Sequence, residues 1–367
     1  MENTNIRFDK SHNVDFYKTL QRRVRSYFKE NNVSKYGDWR MVTKTVFMLL
    51  LYITPFVLIL TSVGNAWLTL LLWFIMGFGL AGIGLSIMHD ANHGAYSKNK
   101  RVNAFMGAIL YLCGGSDAMW RIQHNVLHHT YTNVTGMDED IDPGKVMRFS
   151  PHEKRYKMHK YQHIYAWFLY GLMTLIWITV KDFKQLYRYK EMGLTQTQSS
   201  SFNKLLFRII FLKVAYYSVI LVLPLIFSPV AWYVTVIGFL IMHYVAGVIL
   251  GCIFQPAHVV PTADYPMPDE SGNIKADWAV SQLANTANFA QSSNWFSWYV
   301  GGLNFQIEHH LFPNICHVHY KSISKIVRKT AEEFNLPYHT EKTFWGALRV
   351  HGQMLRKLGN QDEISLK

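Results

Sequence analysis

The sequence predicts an all-α protein embedded in a membrane, and three features of its 367 residues support this prediction. Half of the residues are apolar and 15% are aromatic, whereas only 17% are charged, against about 25% in ordinary soluble domains. Two long stretches, residues 66–88 and 230–253, contain no charged residue. The first corresponds to about 34 Å of helix at 1.5 Å per residue, which is enough to cross a bilayer.

Two pairs of apolar segments predict two transmembrane helical hairpins, each closed by a short turn. The four predicted spans are residues 45–63, 66–88, 209–227 and 230–253. Residues 164–180 are also apolar but lie at the lower limit of length for a span. We therefore expect them to be re-entrant or to lie in the interface, beside further interfacial helices. Lys213 lies near the start of the third span, where its side chain is expected to reach toward the membrane surface.

The formal charge of +13 follows the membrane segments rather than one folded face. Lys and Arg flank the apolar segments, whereas the short turns inside the hairpins carry none. A nucleic-acid partner, which needs clustered surface charge, is therefore not predicted. The positive-inside rule predicts a multi-pass protein with both termini and a histidine-rich cap in the cytoplasm. The predicted parts are a basic segment, a membrane domain and a tail, at residues 1–44, 45–325 and 326–367.

Eight of the 17 histidines follow the two hairpins in clusters. The pattern is His-x-x-x-His after the first hairpin, then His-x-x-x-His-His, then a paired His-His after the second hairpin, with one further histidine at the end of the last span. Residues at i, i+3 and i+4 share one face of an α-helix, so each cluster can direct its imidazoles to one point. Imidazole is a common ligand of iron and zinc, and eight imidazoles suit two ions. The candidate ligands are His89, His93, His124, His128, His129, His258, His309 and His310.

Acidic residues beside the clusters are predicted to accept the ring N–H groups of the ligands and thereby to fix their orientation. These candidates are Asp90, Asp138, Asp140 and Glu308. His243 lies within a span and is interpreted as a packing or lining residue. The remaining histidines near the clusters are predicted to lie at the surface or interface and not to bind metal. They are His152, His159, His163, His317 and His319.

The clusters resemble the three histidine boxes of the membrane fatty acid desaturase family, from about residue 40 to residue 325. Gln306 opens the third box, Gln-x-x-His-His, which resembles the front-end subgroup. These enzymes desaturate between an existing double bond and the carboxyl end. The resemblance also implies a ligand near the last span, where His258 stands, and a weaker role for Gln306 as a ligand or as a partner of a metal-bound water. Eukaryotic front-end members often carry a fused cytochrome b5 domain with a His-Pro-Gly-Gly motif, which this sequence does not contain.

The resemblance implies oxygen-dependent desaturation of a fatty acyl chain, carried by coenzyme A or by a lipid, at a centre of two iron ions with O2 as co-substrate. The two electrons are expected from a separate donor, a ferredoxin or cytochrome b5 with its reductase. No haem-binding motif, cysteine cluster or glycine-rich dinucleotide fingerprint is present in the sequence. A bacterial inner membrane is favoured over the endoplasmic reticulum.

Two alternatives use the same residues. A di-iron hydroxylase or ketolase of lipids or carotenoids shares the histidine boxes, and its product would gain oxygen rather than lose two hydrogens. A divalent-metal transporter would place ligands near the bilayer midplane and would often show internal repeats. In this sequence the histidines lie at the ends of the predicted spans and no repeat is visible.

Overall fold

The structure is a computed structural model that describes residues 6–9, 14–61 and 64–361. These residues divide into two compact units. One unit, called here the membrane unit, consists of Asp38–Ile122 and Trp167–Cys252. The other, called the histidine unit, consists of Met1–Gly37, Gln123–Ala166 and Ile253–Lys367. The histidine unit thus includes residues from each of the three predicted parts, 1–44, 45–325 and 326–367. That division into three parts stays a prediction.

Helices make up almost all of the regular structure, which confirms the predicted all-α class. In chain order they are α1 (Val14–Glu30), α2 (Trp39–Thr61), α3 (Ala66–Asn92), α4 (Lys100–Ala108), α5 (Asp117–Arg121), α6 (Gln162–Gly171), α7 (Met173–Glu191), α8 (Phe202–Phe227), α9 (Trp232–His258), α10 (Trp278–Asn285), α11 (Asn294–Tyr299), α12 (Gln306–Leu311), α13 (Tyr320–Glu333) and α14 (Phe344–Asn360). Two pairs of short parallel strands complete the described fold. They are β1 (Arg7–Phe8) with β2 (Asn273–Ile274), and β3 (Ala287–Phe289) with β4 (His339–Glu341).

Four helices, α2, α3, α8 and α9, are long and apolar enough to cross a membrane, in agreement with the two predicted hairpins. Their bounds differ from the predicted ones because helical hydrogen bonding continues into polar residues beyond the apolar stretch. The start of α3 does match the prediction, since Oδ1 of Asn65 accepts the backbone N–H of Leu68 at 3.0 Å and caps the helix. Residues 62 and 63, which end the first predicted span, lie outside the described residues.

The region predicted to be re-entrant or interfacial is a bent pair of helices. Lys157–Gly171 and Met173–Glu191 meet at an angle of 57°, and together they are also long and apolar enough for one broken span. A broken span and a re-entrant loop share this geometry. The placement of residues 164–180 in the membrane therefore stays a prediction.

Close packing within the membrane unit depends on glycine. A Cβ at Gly79 of α3 would lie 2.8 Å from the backbone nitrogen of Tyr52 in α2, and a Cβ at Gly247 of α9 would lie 2.6 Å from the carbonyl oxygen of Tyr170. Both distances are shorter than real Cβ contacts allow. Small residues let helix backbones approach in this way in membranes, where apolar lipid leaves packing as a main attraction.

Lys213 is buried rather than directed to the membrane surface, so that expectation is wrong. Its Nζ lies 2.8 Å from Oδ2 of Asp182 and also donates to the carbonyl oxygen of Trp177 at 3.0 Å. The lysine is in the first half of α8, and a charge at such a position is costly without a partner. The ion pair ties α8 to α7 within the membrane unit.

The core of the histidine unit forms around α1, which is amphipathic. Phe16, Leu20 and Val24 recur along one face of α1 and are buried together with Ile323 and Val327 of α13. The opposite face of α1 is basic and exposed. This packing places α13 and the neighbouring α12 on a rigid support.

Candidate metal centre

The second histidine cluster lies on a π-helical turn, Ile122–His128, rather than on an α-helix. The backbone N–H of His129 donates to the carbonyl oxygen of His124, five residues earlier, at 3.0 Å. The prediction assumed α-helical spacing. The wider turn brings residue i+5 over residue i, so the Nε2 atoms of His124 and His129 lie 3.3 Å apart. Single π turns are frequent at functional sites.

The first cluster belongs to the membrane unit and also follows a π turn, Ile83–Met88. The rings of His89 and His93 lie 4.8 Å apart between centroids, and both contact the indole of Trp120, at 5.5 and 5.6 Å. Asp90 lies beside them, with Oδ1 at 3.9 Å from Nδ1 of His89. The first cluster is therefore a pair of neighbouring imidazoles at the end of α3.

The other six candidate histidines are gathered inside the histidine unit. Nε2 of His129 lies 3.0 Å from Nε2 of His309 and 3.3 Å from Nε2 of His124. Imidazole nitrogens bound about 2.1 Å from one ion are about 3.0 Å apart in octahedral and about 3.4 Å apart in tetrahedral geometry. The observed spacings are those of ligands that share an ion.

Two groups of three histidines overlap at His310. The groups are His129, His309 and His310, and His128, His258 and His310; within each, the ligand atoms lie within 4.8 Å of one another. The ring centroid of His310 is 4.5 Å from that of His129 and 4.8 Å from that of His128. Because Nδ1 of His310 contacts Gln282, its Nε2 can bind only one ion, and the five histidines of the two groups could supply three ligands to one ion and two to a neighbouring one.

His258 provides the clearest test of whether these residues fit a metal. Its side chain is 3% exposed, and neither ring nitrogen makes a hydrogen bond of normal geometry to any described residue. A buried polar group that is left unsatisfied costs about 1–3 kcal/mol, and a bound ion removes that cost. An ion among His128, His258 and His310 would satisfy the imidazole of His258. The donor set therefore fits a metal.

Asp138 orients His128 through a carboxylate–imidazole contact. Both carboxylate oxygens lie 3.0 Å from Nδ1 of His128, and Asp140 approaches the same nitrogen at 3.4 Å. Burial lowers the pKa of His128, but the two carboxylates outweigh burial and raise it to about 9. Burial also acts to raise the pKa of Asp138, yet His128 and the backbone N–H of Asn133 hold it below its usual value. With Nδ1 engaged by carboxylate, Nε2 of His128 is the nitrogen left for a metal.

Two further orienting residues were missed by sequence reasoning. Oε1 of Gln282 accepts from Nδ1 of His310 at 2.8 Å, and the hydroxyl of Tyr320 lies 3.2 Å from Nδ1 of His309. Both contacts engage Nδ1 and leave Nε2 for a ligand bond. Gln282 lies on α10 and Tyr320 begins α13, outside any histidine cluster. No local pattern marks them, because only the folding of three helices together makes the contacts.

Two residues of the third cluster, Gln306 and Glu308, occupy different environments. Gln306 is 1% exposed, and its Nε2 has no hydrogen-bond partner in the described part of the chain. Glu308, predicted to accept from an imidazole, instead accepts from the hydroxyl of Tyr338 and from Nδ2 of Asn288, each at 2.9 Å. Burial raises the pKa of Glu308 to about 7 although both hydrogen bonds oppose the change.

Three of the five histidines that were predicted to lie at the surface or interface are buried instead. His159, His317 and His319 are at most 6% exposed, so the prediction that they lie at the surface or interface is wrong for these three. His159 and His319 have carbonyl partners, Nε2 of His319 lying 3.2 Å from the oxygen of Tyr36. His243 packs inside the membrane unit as predicted, with Nε2 at 2.7 Å from the hydroxyl of Tyr216.

Comparison with known proteins identifies the family. The model of the fatty acid desaturase family matches residues 65–342. The chain is 39% identical over 359 residues to the acyl-lipid (8-3)-desaturase of Physcomitrium patens, an alignment that covers 96% of this chain and 74% of that protein. It is 34% identical over 360 residues to the sn-1 linoleoyl-lipid 6-desaturase of Arthrospira platensis, with 98% and 96% covered. The enzyme of the same description from Synechocystis sp. is 32% identical over 347 residues, with 94% and 95% covered. The chain, with its four apolar helices and its histidine clusters, therefore belongs to the fatty acid desaturase family and is an oxidoreductase of acyl chains.

Proposed function

We propose that this enzyme is a front-end acyl-lipid desaturase that uses O2 at a centre of two iron ions. The observation that carries the proposal is the presence of two neighbouring histidine groups, one with His129 and His309 and the other with His128 and His258, which meet at His310. Gln306 at the head of the third cluster and the relatives named as acyl-lipid 6- and (8-3)-desaturases support the front-end assignment. The product is then an acyl chain with a new cis double bond on the carboxyl side of an existing one.

The proposed ligands are the eight histidines of the clusters and of α9. When bound, two iron ions with O2 and two electrons supply the oxidising power that an unactivated methylene requires. The ligands are His89, His93, His124, His128, His129, His258, His309 and His310. Gln306 is proposed as a weaker contributor, either as a ligand or as a hydrogen-bond donor to a metal-bound water.

The protein's own contribution is to hold the imidazoles and to keep the site dry. Asp138, Gln282 and Tyr320 each engage the Nδ1 atom of one histidine, which fixes its tautomer and directs its Nε2 inward. The six candidate ligands in the histidine unit are all at most 6% exposed. A buried site protects reactive species from water and places the acyl chain, not solvent, next to the oxidant.

The proposed substrate is an acyl chain carried by a membrane lipid. Two kinds of relatives support this choice, because their names specify lipid-linked acyl chains. The proposed orientation puts both termini and the site in the cytoplasm, supported by the basic residues that flank the spans. The electron donor is proposed to be a separate acidic protein.

Product analysis tests this function directly. The gene is expressed in a host that is fed defined polyunsaturated fatty acids, and the lipids are examined by mass spectrometry for the position of new double bonds. We expect products that are two hydrogens lighter than the fed acid, with the new bond on the carboxyl side. Products that gain oxygen would show a hydroxylase, and metal uptake without oxygen consumption would show a transporter.

Gln306→Ala is expected to lose most desaturase activity while both irons remain bound. The amide is buried beside two ligands but is a weaker ligand than imidazole, so its removal disturbs the site without emptying it. The measurement is turnover together with iron per chain. Full wild-type turnover in Gln306→Ala would reduce Gln306 to a packing residue.

A further inference from the structure

Glu308 is a buried acid inside the third histidine cluster. Its side chain makes hydrogen bonds to residues outside that cluster. It is 0% exposed and lies directly before His309. Its Oε1 accepts from the hydroxyl of Tyr338, and its Oε2 accepts from Nδ2 of Asn288, both at 2.9 Å. Both carboxylate oxygens are thus bound by side chains from outside α12.

Asn288 closes this arrangement into a ring of three side chains. Its Nδ2 also donates to the Tyr338 hydroxyl at 2.9 Å, and its Oδ1 accepts the backbone N–H of Ile307 at 3.0 Å. The Tyr338 hydroxyl further accepts from Nε2 of Gln291 at 3.2 Å. Donors and acceptors therefore match around the ring: the hydroxyl accepts from two amides and donates to Glu308.

The ring joins α12 to the strand pair β3–β4. Asn288 is the central residue of β3 and pairs with Thr340 of β4, and Tyr338 directly precedes β4. The helix α12 has six residues, fewer than two turns, so its orientation depends on tertiary contacts rather than on its own hydrogen bonds. The ring therefore contacts α12 at two places, the carboxylate of Glu308 and the backbone N–H of Ile307.

We infer that Asn288, Glu308 and Tyr338 are positioning residues that set the direction in which His309 and His310 face the metals. The segment that contains Tyr338 and β4 is then part of the machinery of the metal centre, although it lies some 30 residues after the last histidine box. This inference rests on the proposed metal centre. Partners of metal ligands that lie outside the coordination sphere commonly change metal affinity or activity about 10- to 100-fold when they are removed.

Tyr338→Phe tests the inference because it removes the hydroxyl, and with it the hydrogen bond to Glu308, but keeps the aromatic side chain. We expect iron to be lost to a chelator about 10- to 100-fold faster than from the wild type, with an altered Mössbauer spectrum. The matched control is Tyr165→Phe, which removes a hydroxyl that donates to the carbonyl oxygen of Val146 in the same unit, at 2.7 Å. It is expected to keep the wild-type spectrum and rate of iron loss. Glu308→Gln is a second variant, which keeps the acceptor for Tyr338 but presents a donor to Asn288, and it should change iron binding in the same direction.

The outcomes separate positioning from simple stabilisation. A lower melting temperature in Tyr338→Phe and Glu308→Gln, with the iron spectrum and the rate of iron loss unchanged, would overturn the inference and leave the ring as a part of the fold only. Wild-type protein that binds no iron, or one iron per chain, would contradict the proposed function instead. An iron-loaded wild type with a changed spectrum in both variants and an unchanged one in Tyr165→Phe would support the positioning role.

Discussion

Replacing any one of the eight candidate ligands by alanine is expected to abolish desaturation while the protein still inserts into the membrane. In the proposed function each of these imidazoles binds iron, whereas insertion depends on the apolar helices α2, α3, α8 and α9. The variants are His89→Ala, His93→Ala, His124→Ala, His128→Ala, His129→Ala, His258→Ala, His309→Ala and His310→Ala. The measurements are double-bond formation in a complemented host and iron per purified chain.

His258→Ala is the most informative of these variants, because His258 lies outside the three clusters. Its two nitrogens lack partners of normal geometry among the described residues, so a role in packing alone predicts lower stability of the protein without loss of iron. A ligand role predicts loss of turnover and of at least one iron. The matched control is His152→Ala, which removes an imidazole whose Nε2 lies 2.9 Å from the carbonyl oxygen of Tyr265, and its effect should be mild. Wild-type protein with a single metal per chain would rule out the dinuclear centre.

Purified enzyme that is loaded with iron and supplied with oxygen and substrate is expected to stay inactive until a separate electron donor is added. The sequence contains no haem motif, iron–sulfur cysteine cluster or dinucleotide fingerprint to supply the two electrons. Addition of ferredoxin, or of cytochrome b5, with the matching reductase should start turnover. Oxygen consumption and product formation are measured together. Turnover with NADPH alone would contradict a separate donor.

We propose that the basic face of α1 is the docking surface for such a donor. It presents four exposed cations along one side, opposite the apolar face that packs in the core. These are Lys18, Arg22, Arg25 and Lys29, and none of them forms a salt bridge with a carboxylate of the described chain. Complementary charge speeds the encounter with an acidic partner and is screened by salt. The rate at limiting donor should therefore fall between about 0.01 and 0.15 M salt, where the Debye length shrinks from about 30 to about 8 Å.

A double charge reversal locates this surface. Arg22→Glu with Arg25→Glu should raise the donor concentration needed for half-maximal rate and leave the maximal rate unchanged. The control for a general change in net charge is Lys145→Glu with Lys157→Glu, which reverses two exposed lysines far from α1 in the sequence. An equal effect of the control, or a rate that does not depend on salt, would remove the docking surface. Loss of anionic-lipid binding without a change in donor dependence would assign the face to the membrane.

The positions of the four membrane helices were predictable because each helix corresponds to one continuous run of apolar residues. A run of about 20 apolar residues has one stable arrangement in a bilayer, and Gly64-Asn65 marks a turn at which Asn65 does cap α3. Helix ends were less predictable, because hydrogen bonding continues past the apolar run. Lys213 also differs from its prediction, since its partner Asp182 lies 31 positions earlier in the chain and no local rule pairs them.

The sequence by itself determined the class of the fold and the family, because composition and the spacing of the histidines indicate them. The tertiary structure decided the orientation of the imidazole rings. The π turn at Ile122–His128 replaces the assumed α-helical face, and Gln282, Tyr320 and Tyr338 reach the third cluster from other helices and from the segment before β4. A hydrogen bond to Nδ1 needs an atom within about 3 Å, wherever its residue lies in the chain. Contacts of that kind follow from packing and leave no periodic signal in the sequence.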